Sequence, residues 1–108
     1  MLTIKEVSAN FPSFLGQRVS VRGRISSVRR MKKSVFTDLI WGGSKIQCRF
    51  EPTSPYTPMC GDLLEISGTC IQASSGETTI DVSEVSVIAK WKAETDYRKV
   101  SEGTSGPL

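Results

Sequence analysis

Histidine does most of the acid–base chemistry of proteins near neutral pH, and this sequence has none. Its absence removes Ser-His and Cys-His nucleophile pairs. Cys48, Cys60 and Cys70 are odd in number, widely spaced and free of any CxxC pairing. They read as small, partly buried hydrophobes rather than as a zinc site. No carboxylate pair stands out as an acid and base couple. Gly42-Gly43 has the wrong spacing for a phosphate loop and is explained by a hairpin turn. No metal or cofactor is therefore expected, and the chain alone is not expected to be an enzyme. What remains able to act is cationic and aromatic. Residues 18–49 hold Arg18, Arg22, Arg24, Arg29, Arg30, Lys32, Lys33, Lys45 and Arg49 against the single acid Asp38, a balance of +8. Residues 52–89 hold Asp62, Glu65, Glu77, Asp81 and Glu84 and no base, a balance of −5. The whole-chain charge of +3 hides this division. One cationic surface for a polyanion would produce it. So would a solvated polar face on strands that happen to be basic.

Side chains alternate across a strand, so the faces of these residues can be assigned. In SVFTDLIW, Val35, Thr37 and Leu39 share one side and Phe36, Asp38 and Ile40 the other. In KIQCRF, Ile46, Cys48 and Phe50 share a side, opposite Lys45, Gln47 and Arg49. The apolar trio must face the core. Leu39 joins it, because Asp38 cannot be buried without a partner. Phe36 then lands outside, beside Gln47 and Arg49. An exposed ring among basic and amide groups can stack a nucleobase for about 1–3 kcal/mol. Gln47 can read a base edge, and Arg22, Arg24 and Arg49 can hold phosphates in a salt-dependent way. A bulge that flipped the phase would instead bury Phe36, and Gln47 alone would be an ordinary strand residue. Trp41 and Trp91 read as packing residues.

Five strand runs position these groups. Thr3 and Glu6 have the spacing of a capping box for one short helix, which Pro12 should end. QRVSVRGRISSVRR is the first run, with Gly23 marking a bulge or bend. SVFTDLIW, KIQCRF, DLLEISGTCIQA and TTIDVSEVSVIAKW follow. Gly42-Gly43 and Ser75-Gly76-Glu77 are tight turns. EPTSPYTPMCG, with three prolines, is a loop. Gly68 marks a second bulge, and the alternation slips between Val82 and Val85. This pattern fits an all-β, five-stranded Greek-key barrel of the OB type, or an SH3-like barrel. The long, bent first run favours the OB type, in which the first strand serves both sides of the barrel. The predicted organisation is a helix and lead-in over 1–15, the barrel over 16–92, and a mobile polar tail over 93–108.

The runs VRGRISSVRRMKKSVFTDLIWGGSKIQ, GDLLEISGT and SGETTIDVSEVSVIAK resemble the N-terminal OB domain of class II lysyl-, aspartyl- and asparaginyl-tRNA synthetases, the lysyl branch above all. The likeness covers roughly residues 3–91. It implies an anticodon-binding module without catalytic function of its own. It implies that Phe36 stacks on the central anticodon base, a uridine, that Gln47 reads that base, and that Glu77 contributes to anticodon recognition. An arginine of the first strand should contact the anticodon, with Arg24 the better match and Arg29 the second. Two features depart from the family. The family usually has a helix between strands three and four, where this sequence has EPTSPYTPMCG. The class II catalytic motifs are also absent, as in an excised domain or a stand-alone relative.

The partner expected is thus a tRNA anticodon loop or other single-stranded nucleic acid. A general single-strand binder and a protein-interaction barrel remain open beside it. No apolar run approaches the roughly 18 residues of a membrane span, and the N-terminus lacks the pattern of a signal peptide. A cytoplasmic or other intracellular location, mitochondria included, is expected, as is a monomer for the isolated domain.

Overall fold

Thr3 caps the first helix, α1 (Ile4–Ala9), as its spacing predicts. Its hydroxyl accepts from the Glu6 amide at 3.0 Å, and the Glu6 carboxylate accepts from the Thr3 amide at 2.8 Å. These bonds favour the ionised form and hold Glu6 below the usual carboxylate range. Pro12 does not act as expected. It sits in the first turn of a second short helix, α2 (Phe11–Phe14), where no intrahelical partner is needed for a proline nitrogen. Ile4, Val7 and Phe11 turn into the core. The computed structural model describes residues 1–90; the expectations for Trp91 and for the tail lie outside them.

The five strands are β1 (Arg18–Arg30), β2 (Val35–Trp41), β3 (Ser44–Phe50), β4 (Leu63–Gln72) and β5 (Thr78–Ala89). They close into a barrel in the order β1-β2-β3-β5-β4. β3 and β5 run parallel, and the other neighbours are antiparallel. β1 pairs with β4 through Arg18 to Arg24 and with β2 from Arg24 to Arg30. One long strand therefore serves both sides of the barrel, as in an OB fold, and the SH3-like alternative falls away.

The register irregularity of β1 lies beyond Gly23 rather than at it. Gly23 pairs regularly with Leu64, while the register shifts between Ile25 and Ser27. Gly23 instead allows close packing: a Cβ there would stand 2.7 Å from Leu39 Cγ and 2.8 Å from Ile4 Cδ1. The irregularity at Gly68 is where the sequence places it, and it coincides with the slip beyond Val82 in β5. Gly42 and Gly43 both have positive φ, +60° and +84°, which a two-residue hairpin between Trp41 and Ser44 requires.

Inside, Val21, Ile25, Leu39, Phe50, Leu64 and Ile80 anchor one continuous core with α1. Cys48 and Cys70 belong to it, but Cys60 is exposed, contrary to expectation. Burial pushes the Cys48 and Cys70 thiols up. Residues 51–62 form no helix or strand, as the prolines predict. That connection is pinned by Tyr56, whose ring lies 5.9 Å from that of Phe50. Its hydroxyl donates to Asp62 Oδ2 at 2.5 Å, and Lys90 Nζ reaches the same oxygen at 3.2 Å. Burial and the neighbouring Asp62 raise the Tyr56 phenol above its ordinary range.

Candidate nucleic-acid interface

Register fixes what shares the outer face of β1, β2 and β3. Arg29 pairs with Phe36 and Phe36 with Arg49; Ser27 pairs with Asp38 and Asp38 with Gln47; Arg24 pairs with Ile40 and Ile40 with Lys45. Three rungs result. Val35, Thr37 and Leu39 are buried behind them, so the phase of β2 is not flipped. Phe36 is half-buried on the outer face.

The first two rungs meet residues 73–77, the hairpin between β4 and β5, and enclose an open pocket of about 540 Å³. Phe36 forms part of its wall with Arg29, Met31, Asp38, Lys45 and Gln47, and Ser74, Ser75 and Glu77 close the hairpin side. The Arg29 guanidinium stands 6.0 Å from the centre of the Phe36 ring. Its Nη2 donates to Gln47 Oε1 at 2.6 Å, and its Nη1 lies 3.8 Å from Asp38 Oδ2. Ser27 Oγ donates to that same carboxylate oxygen at 2.8 Å.

Gln47 differs from its expected setting. It is only 5% exposed. Arg29 covers its oxygen, and its amide nitrogen donates to Thr79 Oγ1 at 2.8 Å. Thr79 in turn donates to the Glu77 carbonyl at 3.0 Å. The pocket thus has in its wall an amide bonded at both ends, oriented with its NH₂ toward β5 and its oxygen toward Arg29.

The other arginines sit apart from this pocket. Arg22 faces β4 and is paired with Glu65, so its charge is already matched. Arg24 lies at the far end of the face, with Nη1 donating to the Gly61 carbonyl at 2.6 Å. Arg49 is a tie within the barrel. It donates to Ser34 Oγ at 2.6 Å, to the Lys33 carbonyl at 2.9 Å, to Glu51 at 3.0 Å and to Asp81 at 3.1 Å. Bonds to Glu51 and Asp81 raise its pKa despite some burial. The expected phosphate ligands Arg22 and Arg49 are therefore neutralised by carboxylates, and Arg29 rather than Arg24 stands at Phe36. Thr79 and Met31 were not foreseen. Thr79 meets Gln47 only through the parallel β3–β5 pairing, which leaves no local trace in the sequence. Trp41, expected to pack, is 46% exposed.

No protein-family model matches the chain. A lysine–tRNA ligase of Clostridium botulinum (strain Hall) is 30% identical to it over 96 residues, which cover 82% of this chain and 19% of the ligase. The chain is homologous to part of lysine–tRNA ligase. The Clostridium kluyveri ligase is 31% identical over the same shares. The chain spans about a fifth of the length of these ligases. A solved structure from Leishmania major Friedlin, described as an aspartyl-tRNA synthetase, superimposes with a TM-score of 0.68 at 14% identity, over 84% of this chain and 21% of that one. That likeness is one of fold, and it is the OB barrel. The synthetase resemblance drawn from the sequence, lysyl branch first, stands on the ligase matches.

Proposed function

We propose that this barrel binds tRNA, taking the anticodon loop as a splayed single strand with one base in the pocket at Phe36. The observation that carries the reading is the convergence of Phe36, Arg29, Gln47 and Glu77, from three strands and a hairpin, around one open pocket. A base entering it would lie on the Phe36 ring, worth about 1–3 kcal/mol. The guanidinium of Arg29 now stands on that ring side and would shift to admit the base. Gln47 Oε1 would then be free to accept from a ring N–H. Uracil carries such a donor between two carbonyls, which suits a uridine at this position. Glu77 at the rim can accept from an exocyclic amine or a second ring N–H. Splaying and stacking of unpaired bases is the usual way single-stranded RNA is recognised. The module makes and breaks no covalent bond in this reading. Within a full-length ligase it would select the tRNA while another part joined it to lysine.

The test is a binding titration at fixed salt. An RNA stem-loop with a UUU anticodon should bind more tightly than the same stem with a scrambled loop, and more tightly than single-stranded DNA. Phe36→Ala should weaken the cognate loop by about 1–3 kcal/mol. Equal affinity for cognate and scrambled loops would reject the anticodon reading in favour of a general single-strand binder.

A further inference from the structure

An OB fold that grips single strands covers roughly 4–16 nucleotides, and one pocket at Phe36 accommodates far fewer. The rest of the strand needs a track on the same face. The third rung supplies one. Arg24, Ile40 and Lys45 stand side by side on the outer face, and Trp41 follows them at the β2–β3 turn. These four residues, with Gly42 and Gly43, line a second open concavity of about 450 Å³. Trp41 is 46% and Ile40 38% exposed, an exposure matched among the large apolar side chains of the described strands by Val87 and Ile88 of β5. Arg24 and Lys45 are also exposed. Among the described residues neither is in an ion pair with a carboxylate, unlike Arg18, Arg22, Arg29 and Arg49. Lys45 lines both concavities and joins them into one surface.

We infer that the concavity shared by Arg24, Trp41 and Lys45, where the outer face meets the β2–β3 turn, is a second nucleotide site, at which Trp41 stacks a base flanking the one held at Phe36 and the two cations hold its phosphates. This rests on the nucleic-acid reading of the Phe36 pocket. Trp41 lies five residues from Phe36 on β2, about 16 Å along the strand, so the two platforms serve different nucleotides of one strand. The charge excludes no polyanion, and the exposed indole selects an unpaired base over a duplex backbone. Arg24 is held at one nitrogen by the Gly61 carbonyl, which orients the guanidinium and leaves its other nitrogens for a phosphate. The positive φ of Gly42 and Gly43 keeps the turn to two residues without side chains, and the space where their Cβ atoms would stand is open.

The experiment uses the full chain and a set of RNA stem-loops: one intact, and others each with an abasic site at a single loop position. Trp41→Ala should weaken the intact loop about 5- to 150-fold, the range of one stacked base. Trp41→Phe, which keeps a ring, should retain most of the affinity. One abasic loop, with the gap beside the base held at Phe36, should be indifferent to Trp41→Ala while remaining sensitive to Phe36→Ala. Unchanged affinity of Trp41→Ala for the intact loop, as expected if the indole meets a protein instead, would overturn the inference while leaving the Phe36 reading intact. So would an equal loss on every abasic loop, or a loss in Trp41→Phe as large as in Trp41→Ala. If Phe36→Ala binds all loops as the parent does, the pocket reading fails and this one fails with it.

Discussion

Both ends of the Gln47 amide are engaged before any ligand arrives. Thr79 takes its NH₂ and Arg29 covers its oxygen. The bond to Thr79 keeps this buried amide oriented when Arg29 moves off its oxygen, so little rotamer freedom is left to lose on binding. It also makes Gln47 part of the fold. Gln47→Ala would leave the Thr79 hydroxyl without its donor and Arg29 without its acceptor. An unmade bond to a buried polar group costs about 1–3 kcal/mol. Urea unfolding should therefore show a loss of that size, together with weaker RNA binding. A variant as stable as the parent would mean that water replaces the amide and that the network does not matter to stability. The face of Phe36 and Gln47 was legible in the sequence because strand alternation is local and Asp38 fixed its sense. The burial of Gln47 was not. Its covering groups come from β1 and from Thr79, 32 residues away, through a parallel pairing with no sequence signature.

At the scale of the strands, the glycines mark where backbone comes close to something. They differ in what it meets. A Cβ at Gly68 would stand 2.2 Å from the Asp81 carbonyl oxygen, on the backbone of the paired strand. A Cβ at Gly23 would meet side chains first, Leu39 Cγ at 2.7 Å and Ile4 Cδ1 at 2.8 Å, with the Ile40 carbonyl oxygen at 3.0 Å. Gly68→Ala must therefore part β4 from β5, whereas Gly23→Ala asks the core to repack. Overpacking typically costs about 1–3 kcal/mol. Gly23→Ala should fall in that range by urea unfolding, and Gly68→Ala should exceed it. The reverse order would show that the β4–β5 contact is the more pliable. Strand runs, the Gly42-Gly43 turn and the Gly68 irregularity were all visible in the sequence, since each is set within a few residues. A bulge or bend of β1 was expected at Gly23 because glycine permits either. The register shifts instead at Ser26, where β1 has just left β4 for β2, and that hand-over exists only once the barrel has closed. Pro12 misled for a related reason: it breaks a helix interior but is at home in a first turn.

For the whole molecule, closure sets the acidic half of the chain against the basic half. Arg18 meets Glu84 at 2.9 Å, Arg22 meets Glu65, and Arg49 meets Asp81 at 3.1 Å. The charge division that looked like a single cationic surface is thus partly internal neutralisation between β1 or β3 and β4–β5. Among the described residues, the arginines and lysines near the binding face that are in no carboxylate ion pair are Arg24, Arg30, Lys32, Lys33 and Lys45. Lys32 and Lys33 lie on the β1–β2 connection and Arg24 and Lys45 toward the β2–β3 end, while Arg30 reaches the Pro58 carbonyl of the 51–62 connection. This distinction is measurable, because only charges that displace counterions from phosphates enter the salt dependence. For single strands each such contact contributes about 0.7 to the slope of log affinity against log salt. Lys45→Gln should flatten the slope by about that amount. Arg22→Gln should leave it unchanged. It should cost at most about 1 kcal/mol of stability, the range of an exposed ion pair. Equal flattening in the two variants would mean that the strand wraps onto the β1–β4 side of the barrel. The pocket at Phe36 would then be one stop on a longer path than the three rungs provide.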